Sequence, residues 1–292
     1  MTFNRFWGNL LLGSCLVIGL VAIAPRAISE DFDPSTVKAA PVRSAGIVSL
    51  DLPDSSAKEI NLTIVNGRFS EYSVGNIRLT GSGIDFKEGV LDSLDAEIKT
   101  GNFDNLIVDK MTVNSPGFQF DTMQLLNSQT FVLKEPVDAE VSINISEAGI
   151  NQFLASPKTL KKVESAITKQ TGGIALFQFS NPVFQLLSGN KIKLDLTAVF
   201  AQGVSFPLAM RGNLDIQAGK VVIQQLALSS ADTPIELPAD IAKTFESKLN
   251  ELIDFQRLGK NTLVLNAETL STSSKALKLN GHAQITRLKF GS

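Results

Sequence analysis

The stretch Val137-Asp138-Ala139-Glu140-Val141-Ser142-Ile143-Asn144-Ile145 alternates apolar and polar side chains without a fault. In extended backbone successive side chains point to opposite faces, so this period of two describes a strand with one oily and one wet side. One-sided burial is the mark of antiparallel sheet. The same period recurs in Ile60, Leu62 and Ile64, and in Ile192, Leu194, Leu196, Ala198 and Phe200. After a loop at Ala201-Gln202-Gly203 it resumes in Val204, Phe206, Leu208, Met210, Leu214 and Ile216. It continues in Val222, Leu226 and Leu228, and late in the chain in Leu277, Leu279, Ala283 and Ile285. Between Ile285 and Leu288-x-Phe290 the phase slips by one residue, which predicts a bulge.

Helices are few. Ser156-Pro157 is an N-cap and first-turn pair that predicts a helix to about Lys169, with Leu160, Val163 and Ile167 on one face. A shorter helix is expected from Ser146 or Glu147 to Ala155. A second long helix is expected from near Pro238, with Ile241, Ala242, Phe245, Leu249, Leu252 and Ile253 in one seam, ending before Gly259. Roughly ten strands with one apolar face each, and two or three helices to cover them, leave a choice. Either the sheet curls on itself or apolar area lines a cavity. The fold class is α+β: an elongated, strongly curved antiparallel sheet around one long helix and a shorter helical pair.

A weak repeat at an offset of 34 relates Leu79-x-x-x-Gly83-Ile84-x-Phe86 to Val113-x-x-x-Gly117-Phe118-x-Phe120. Two copies are too few for a solenoid, so they read as two similar strand-turn units.

Residues 1–29 read as a targeting segment. Arg5 gives a positive start, an apolar run spans Leu10 to Ala24, and Glu30, Asp31 and Asp33 follow. Cleavage after Ser29, with Ala27 two residues before it, fits the small-x-small rule. Retention of residues 6–24 as an anchor is the alternative. Cys15, the only cysteine, lies inside this run and carries no thiol chemistry if the segment is removed. Residues 30–57 are mixed and contain Pro34, Pro41 and Pro53, the composition of a linker. Residues 58–292 form the β-rich domain. The expected location is the periplasm or another compartment of the envelope outside the cytoplasm.

Composition narrows the function. Hydrophobic residues make up 43% and charged residues 19%, enough for a packed core. Without Arg5 and Arg26 the chain carries 25 basic against 29 acidic groups, which argues against nucleic acid. Eighteen Phe stand against one Trp and one Tyr. Phe has no polar tip, so this bias suits an oily interior better than a sugar or nucleotide site. The only histidine, His282, sits on the polar phase of the last strand, so no Ser-His-Asp or Cys-His set can be assembled. Asp92 with Asp95 and Asp138 with Glu140 lie on polar strand phases, and a solvated face is their plainer reading. Gly172-Gly173 and Gly81-Ser82-Gly83 lack the pattern of a phosphate loop and read as turns. No catalytic residue, metal or cofactor is expected.

Two groups have both a structural and a functional reading. Phe177, Phe179, Phe184, Phe200, Phe206 and Phe245 are core residues or the lining of a lipid cavity. Met210 on the same strand face and Leu249 and Leu252 on the helix seam go with them. Lys158, Lys161, Lys162 and Lys169 form a solvated helix face or a contact with anionic headgroups.

The segment from Val137 to Phe290 resembles the LmeA-like phospholipid-binding family of bacterial envelope proteins. The stretches that carry the resemblance are 137–154, the hairpin from Lys191 to Ile216, Leu249-Asn-Glu-Leu-Ile-Asp-Phe255 and Leu277-x-Leu-x-Gly-x-Ala-x-Ile285. The resemblance implies an exported protein that holds phospholipid in an elongated apolar groove. It implies a fold like one half of a tubular lipid-binding protein, with phospholipid and a membrane surface as partners. The runner-up function is a structural or assembly factor that binds protein through a sheet edge; a hydrolase is third.

Overall fold

The computed structural model describes residues 46–50, 56–69, 72–85, 87–103, 106–124, 130–170, 177–200, 203–230, 263–273 and 275–289, with 243, 246, 247, 249 and 250. The expected targeting segment lies outside them.

Twelve described strands build two antiparallel sheets. The larger has eight: β1 (Gly46–Leu50), β2 (Ser56–Phe69), β3 (Tyr72–Asp85), β4 (Val90–Phe103), β5 (Leu106–Gln119), β6 (Thr130–Ser146), β11 (Leu263–Thr272) and β12 (Ala276–Lys289). They lie in the order β1-β2-β3-β4-β5-β6-β12-β11. The smaller has four: β7 (Phe177–Leu187), β8 (Lys191–Phe200), β9 (Ser205–Gln217) and β10 (Lys220–Ser230), in the order β10-β9-β8-β7. The single sheet expected from the period is therefore two. The apolar faces of both merge into one core, in which Ile77, Ile98, Phe120 and Met210 are almost fully buried. β1 falls inside the 30–57 stretch whose composition reads as a linker; Gly46-Ile-Val-Ser-Leu50 is too short to show a period.

Val137, Ala139, Val141, Ile143 and Ile145 of β6 are all buried, opposite Ile285, Ala283, Gly281, Leu279 and Leu277 of β12. The expected slip after Ile285 is real: the register jumps between Ile285 and Arg287, where Leu133 to Pro136 of β6 have no partner on β12 and Leu133 bridges Phe120 instead. Pro136 has no N–H to give to a ladder, which suits it to this break. In β10 the expectation fails in part. Val221 and Ile223 are buried with Leu226 and Leu228, while Val222 is half-buried on the other face. Gln225 takes a φ of 54° and the register shifts between Gln224 and Ala227, so the phase flips inside the strand.

Gly81 and Gly83, expected in a turn, lie inside β3. Gly83 has a φ of 57°, and a Cβ there would run into the Asp92 carboxylate of β4. Gly117 lies on the other side of the same residue, where a Cβ would stand 2.8 Å from the Asp92 carbonyl. The 34-residue repeat is thus β3 and β5 flanking β4 at one level, each with a glycine against Asp92. The apolar residues that follow, Ile84 in one and Phe118 and Phe120 in the other, are buried.

Helix α1 (Glu147–Leu154) follows β6 directly. The Ser146 hydroxyl accepts the Gly149 N–H at 3.1 Å and caps it. Gly149 packs so closely on β5 that a Cβ would stand 2.5 Å from the Ile107 carbonyl oxygen. Helix α2 (Pro157–Gln170) starts as expected, with the Ser156 hydroxyl accepting the Thr159 N–H at 3.3 Å. Leu160 and Val163 pack on the core. The helix expected from Pro238 lies mostly outside the described residues; Lys243, Glu246, Ser247, Leu249 and Asn250 are helical.

Candidate functional site

Cross-strand pairing on the inner face of the four-stranded sheet sorts the apolar side chains into rows. Phe179 of β7, Ala198 of β8 and Phe206 of β9 stand abreast. The next rows include Leu196 beside Leu208, and Phe184, Leu194, Met210 and Leu228 across all four strands. Ala198 is the smallest residue between two phenylalanines. Phe179 is buried, whereas Phe206 is only half-buried and packs on the rim of the core. Met210 and Leu249 are buried in the same cluster. Phe200 ends β8 opposite Phe177. The side chains of Phe200, Phe245 and Leu252 lie outside the described residues. The expected lining thus brings Phe179, Phe206, Met210 and Leu249 together in one apolar body.

The edges of this sheet are closed by side chains that sequence reasoning missed. At the β7 edge the Asn151 amide accepts the Phe184 N–H at 2.7 Å and donates to the Phe184 carbonyl at 2.8 Å. One turn earlier on α1, the Glu147 carboxylate accepts the Leu186 N–H at 2.7 Å, and Glu164 of α2 accepts the Phe179 N–H at 2.8 Å. At the β10 edge Asn250 accepts the Ile223 N–H at 2.6 Å and donates to the Ile223 carbonyl at 3.0 Å. Glu246 accepts the Leu226 N–H at 3.1 Å. Each Asn amide reproduces the donor and acceptor of a neighbouring strand, so a buried edge keeps its hydrogen bonds without another strand. The signal is in the sequence: Glu147-x-x-Ile-Asn151 and Glu246-x-x-Leu-Asn250 share one spacing. The spacing of four puts both polar groups on one helix face.

A third Asn clasp joins the two sheets. Asn190, in the β7–β8 turn, accepts the Thr272 N–H at 3.1 Å and donates to the Leu270 carbonyl at 3.4 Å on β11. In the β9–β10 turn the Gly219 carbonyl accepts the Ala267 N–H at 2.9 Å. Beside this junction lies a small apolar crevice between Gly219 and Val141, Ile143, Leu265, Ala267 and Leu279. It has room for about one water molecule and is far smaller than a small-molecule pocket.

The outer face of the eight-stranded sheet is polar. Ser82 and Ser93 are 2.7 Å apart, and Ser142 donates to Asn280 at 2.8 Å. Glu97 lies between Lys110 at 2.6 Å and Lys99 at 3.0 Å. Hydrogen bonds from Lys110 and then Lys99 hold its carboxyl below the ordinary carboxylate value. His282 lies on this face, 3.4 Å from Glu268, and both side chains are exposed. Among the described residues no three of His, Cys, Asp and Glu come together as a metal site. Lys158 and Lys161 are exposed on α2 and Lys162 is half-buried; the Lys169 side chain lies outside the described residues. Among the described residues no helix is long and apolar enough to cross a membrane.

The model of one protein family, described as LmeA-like phospholipid-binding, matches residues 75–281. No curated protein and no solved structure matches the chain.

Proposed function

Because this chain belongs to the LmeA-like phospholipid-binding family, we propose that it binds or carries phospholipid in the cell envelope, outside the cytoplasm, without catalysing a reaction. The acyl chains lie against the inner face of the four-stranded sheet, under the helical segment that contains Leu249. The observation that carries this reading is the Phe179-Ala198-Phe206 row: a small residue between two phenylalanines, with Phe206 half-buried at the rim. That row puts a partly exposed phenylalanine at the border of the apolar cluster, where an acyl chain can meet it. The Phe-rich, Trp-poor and Tyr-poor composition agrees with it, since acyl chains offer nothing for a polar aromatic tip to bond.

The protein-partner alternative needs an open sheet edge. Side-chain clasps occupy the edges at β7, β10 and β11, which leaves the β1 edge of the larger sheet for such a partner; the family match supports the lipid reading. Residues 1–29 direct export, with Glu30 as the first residue of the mature chain. The deciding experiment extracts the purified protein with organic solvent and examines the extract by mass spectrometry. Phospholipid in stoichiometric amount is expected; a lipid-free protein that also takes up none from vesicles would overturn the proposal. His282→Ala should leave lipid content unchanged, because the imidazole faces solvent beside Glu268.

A further inference from the structure

The four-stranded sheet has a second face, and its chemistry differs from the rest of the surface. Val183 and Leu187 stand along β7 on the side opposite the core, 48% and 39% exposed. Among the described residues the other exposed large apolar side chains are Met123 and Val204, neither within a strand. Pairing places Leu187 beside Lys191, and Lys193 of β8 directly opposite Arg211 of β9. Lys220 of β10 has the same facing. The acids on this face are Asp195, which holds Lys193 at 2.6 Å, and Asp215, which accepts from Gln224 at 2.8 Å. Cations therefore outnumber acids, in a protein whose net charge is negative.

Like charges directly across a ladder destabilise it. Lys99 opposite Lys110 on the larger sheet is the same arrangement, bridged there by Glu97; what sets this face apart is the combination of such cations with exposed aliphatic side chains. It suits a surface that is itself anionic and has apolar depth. The polar face of the larger sheet is different: Asp95, Glu97, Asp138 and Glu140 are interspersed with Arg78, Lys99, Lys110 and Lys278, and among the described residues no large apolar side chain is exposed there.

We propose that the outer face of the four-stranded sheet is the surface by which this protein docks on an anionic bilayer. Lys191, Lys193 and Arg211 meet the headgroup phosphates, and Val183 and Leu187 enter the interface. The inference deepens the phospholipid reading: the docked face is the back of the sheet whose front holds the lipid.

The test uses the full chain with Cys15→Ser and one cysteine at Val183, labelled with an environment-sensitive fluorophore. A control carries the label at Asp138 on the larger sheet. Local emission reports contact at each position, whatever residues 1–29 do. With vesicles of equal parts phosphatidylcholine and phosphatidylglycerol, the label at 183 shifts to the blue and the label at 138 does not. Lys191→Gln with Arg211→Gln leaves the Lys193–Asp195 pair intact. Each cation near an anionic surface contributes roughly fivefold, so the double variant weakens the response by about 25-fold. Raising salt from 0.01 to 0.1 M, where the Debye length falls from about 30 to about 10 Å, weakens it in the unmodified protein. A silent label at 183 while the protein floats with the vesicles overturns the proposal. So does an equal response to pure phosphatidylcholine, or loss of the response only on Lys158→Gln with Lys161→Gln, which would assign the contact to α2. Bound lipid measured on the same variants stays at the unmodified level. Its absence from every preparation counts against the lipid reading and not against the docking face.

Discussion

The two edges of the four-stranded sheet are closed by the same device and built to different standards. At β7 and at β10 a helix offers a Glu and, four residues on, an Asn to the free backbone groups. At β7 the two clasped residues, Phe184 and Leu186, are two apart. At β10 they are Ile223 and Leu226, three apart, because Gln225 bulges between them. The β7 helix is also fixed from behind. Ser146 caps it, the Lys275 carbonyl accepts the Glu147 N–H at 2.8 Å, and Gly149 lies against β5. The turns follow the same division. The β7–β8 turn has Gly189 and Asn190 at positive φ, whereas the β9–β10 turn has Ala218 at 49° before Gly219. Asn tolerates the left-handed region and Ala does not. β7 has a bulge of its own, with Asn181 at a φ of 51°, but its left-handed residues are Asn and Gly, whereas the β10 side puts Gln225 and Ala218 in that region and is the more strained. If the proposed lipid exchanges through an edge of this sheet, the β10 side is the one expected to open.

The largest effect should come from removing a clasp. Asn151→Ala leaves the N–H and C=O of the buried Phe184 without partners, at about 1–3 kcal/mol for each group that water cannot reach. A loss of roughly 2–5 kcal/mol in chemical unfolding is expected, with the lipid content of the folded fraction unchanged. Asn250→Ala removes the same two bonds from Ile223 and should cost a similar amount. Its distinct consequence is faster exchange of lipid with vesicles. Equal exchange rates in the two variants would break the asymmetry, and faster exchange in Asn151→Ala would reverse it.

Much of this fold is legible along the chain. The alternation in 137–145 marks its buried residues correctly, the phase slip after Ile285 marks a real break in register, and Ser156-Pro157 starts α2. Such signals are local, set by side-chain period and by backbone chemistry at one or two residues. The division into two sheets is not local. β6 pairs with β12 across more than half the domain, and nothing in either strand names the other. The reversal of phase in β10 depends on Gln225 adopting a conformation that Gln seldom takes, so sequence gave no warning. The clasps were hidden for a different reason. A Glu and an Asn four apart on a helix look like any solvated face until an edge strand arrives beside them. For the candidate site, Phe206 and Met210 could be named from strand period and Leu249 from the helix seam, whereas Phe179 stands out only as one of many phenylalanines. Whether each faces protein or acyl chain could not, because both environments select the same side chains.

Phe206 sharpens that last point. In a close-packed interior the larger indole overpacks and costs about 1–3 kcal/mol. At a half-buried rim beside Ala198 it has room, and it fills space an acyl chain needs. Phe206→Trp is expected to unfold within about 1 kcal/mol of the unmodified protein, below the overpacking range, and to carry less lipid. Phe179→Trp, in the same row but buried against the fixed edge, should show the full overpacking loss. Thermal unfolding and lipid content on one preparation of each decide it, and a large destabilisation of both variants would make the whole row ordinary core.

The smallest effect tests the strain itself. Ala218 and Gly219 form a two-residue hairpin loop with both φ values positive, the geometry in which Asn-Gly is the favoured pair. A left-handed backbone costs an ordinary L-residue about 1–2 kcal/mol, and Asn recovers part of that through its local hydrogen bonds. Ala218→Asn should therefore raise stability by about 0.5–1 kcal/mol. The residue is exposed and points away from the core, so no lipid contact changes with it. If strain in the β10 half helps that edge open, the same substitution should also slow lipid exchange, by a factor of about two to five for a gain of that size. The paired control is Asn190→Ala, which gives the β7–β8 turn the residue its counterpart now has. It also removes the clasp on β11, so its stability loss should exceed the gain from Ala218→Asn. A stabilised Ala218→Asn protein that exchanges lipid at the original rate would show that the strain is real but sits on a part of the hairpin that does not move.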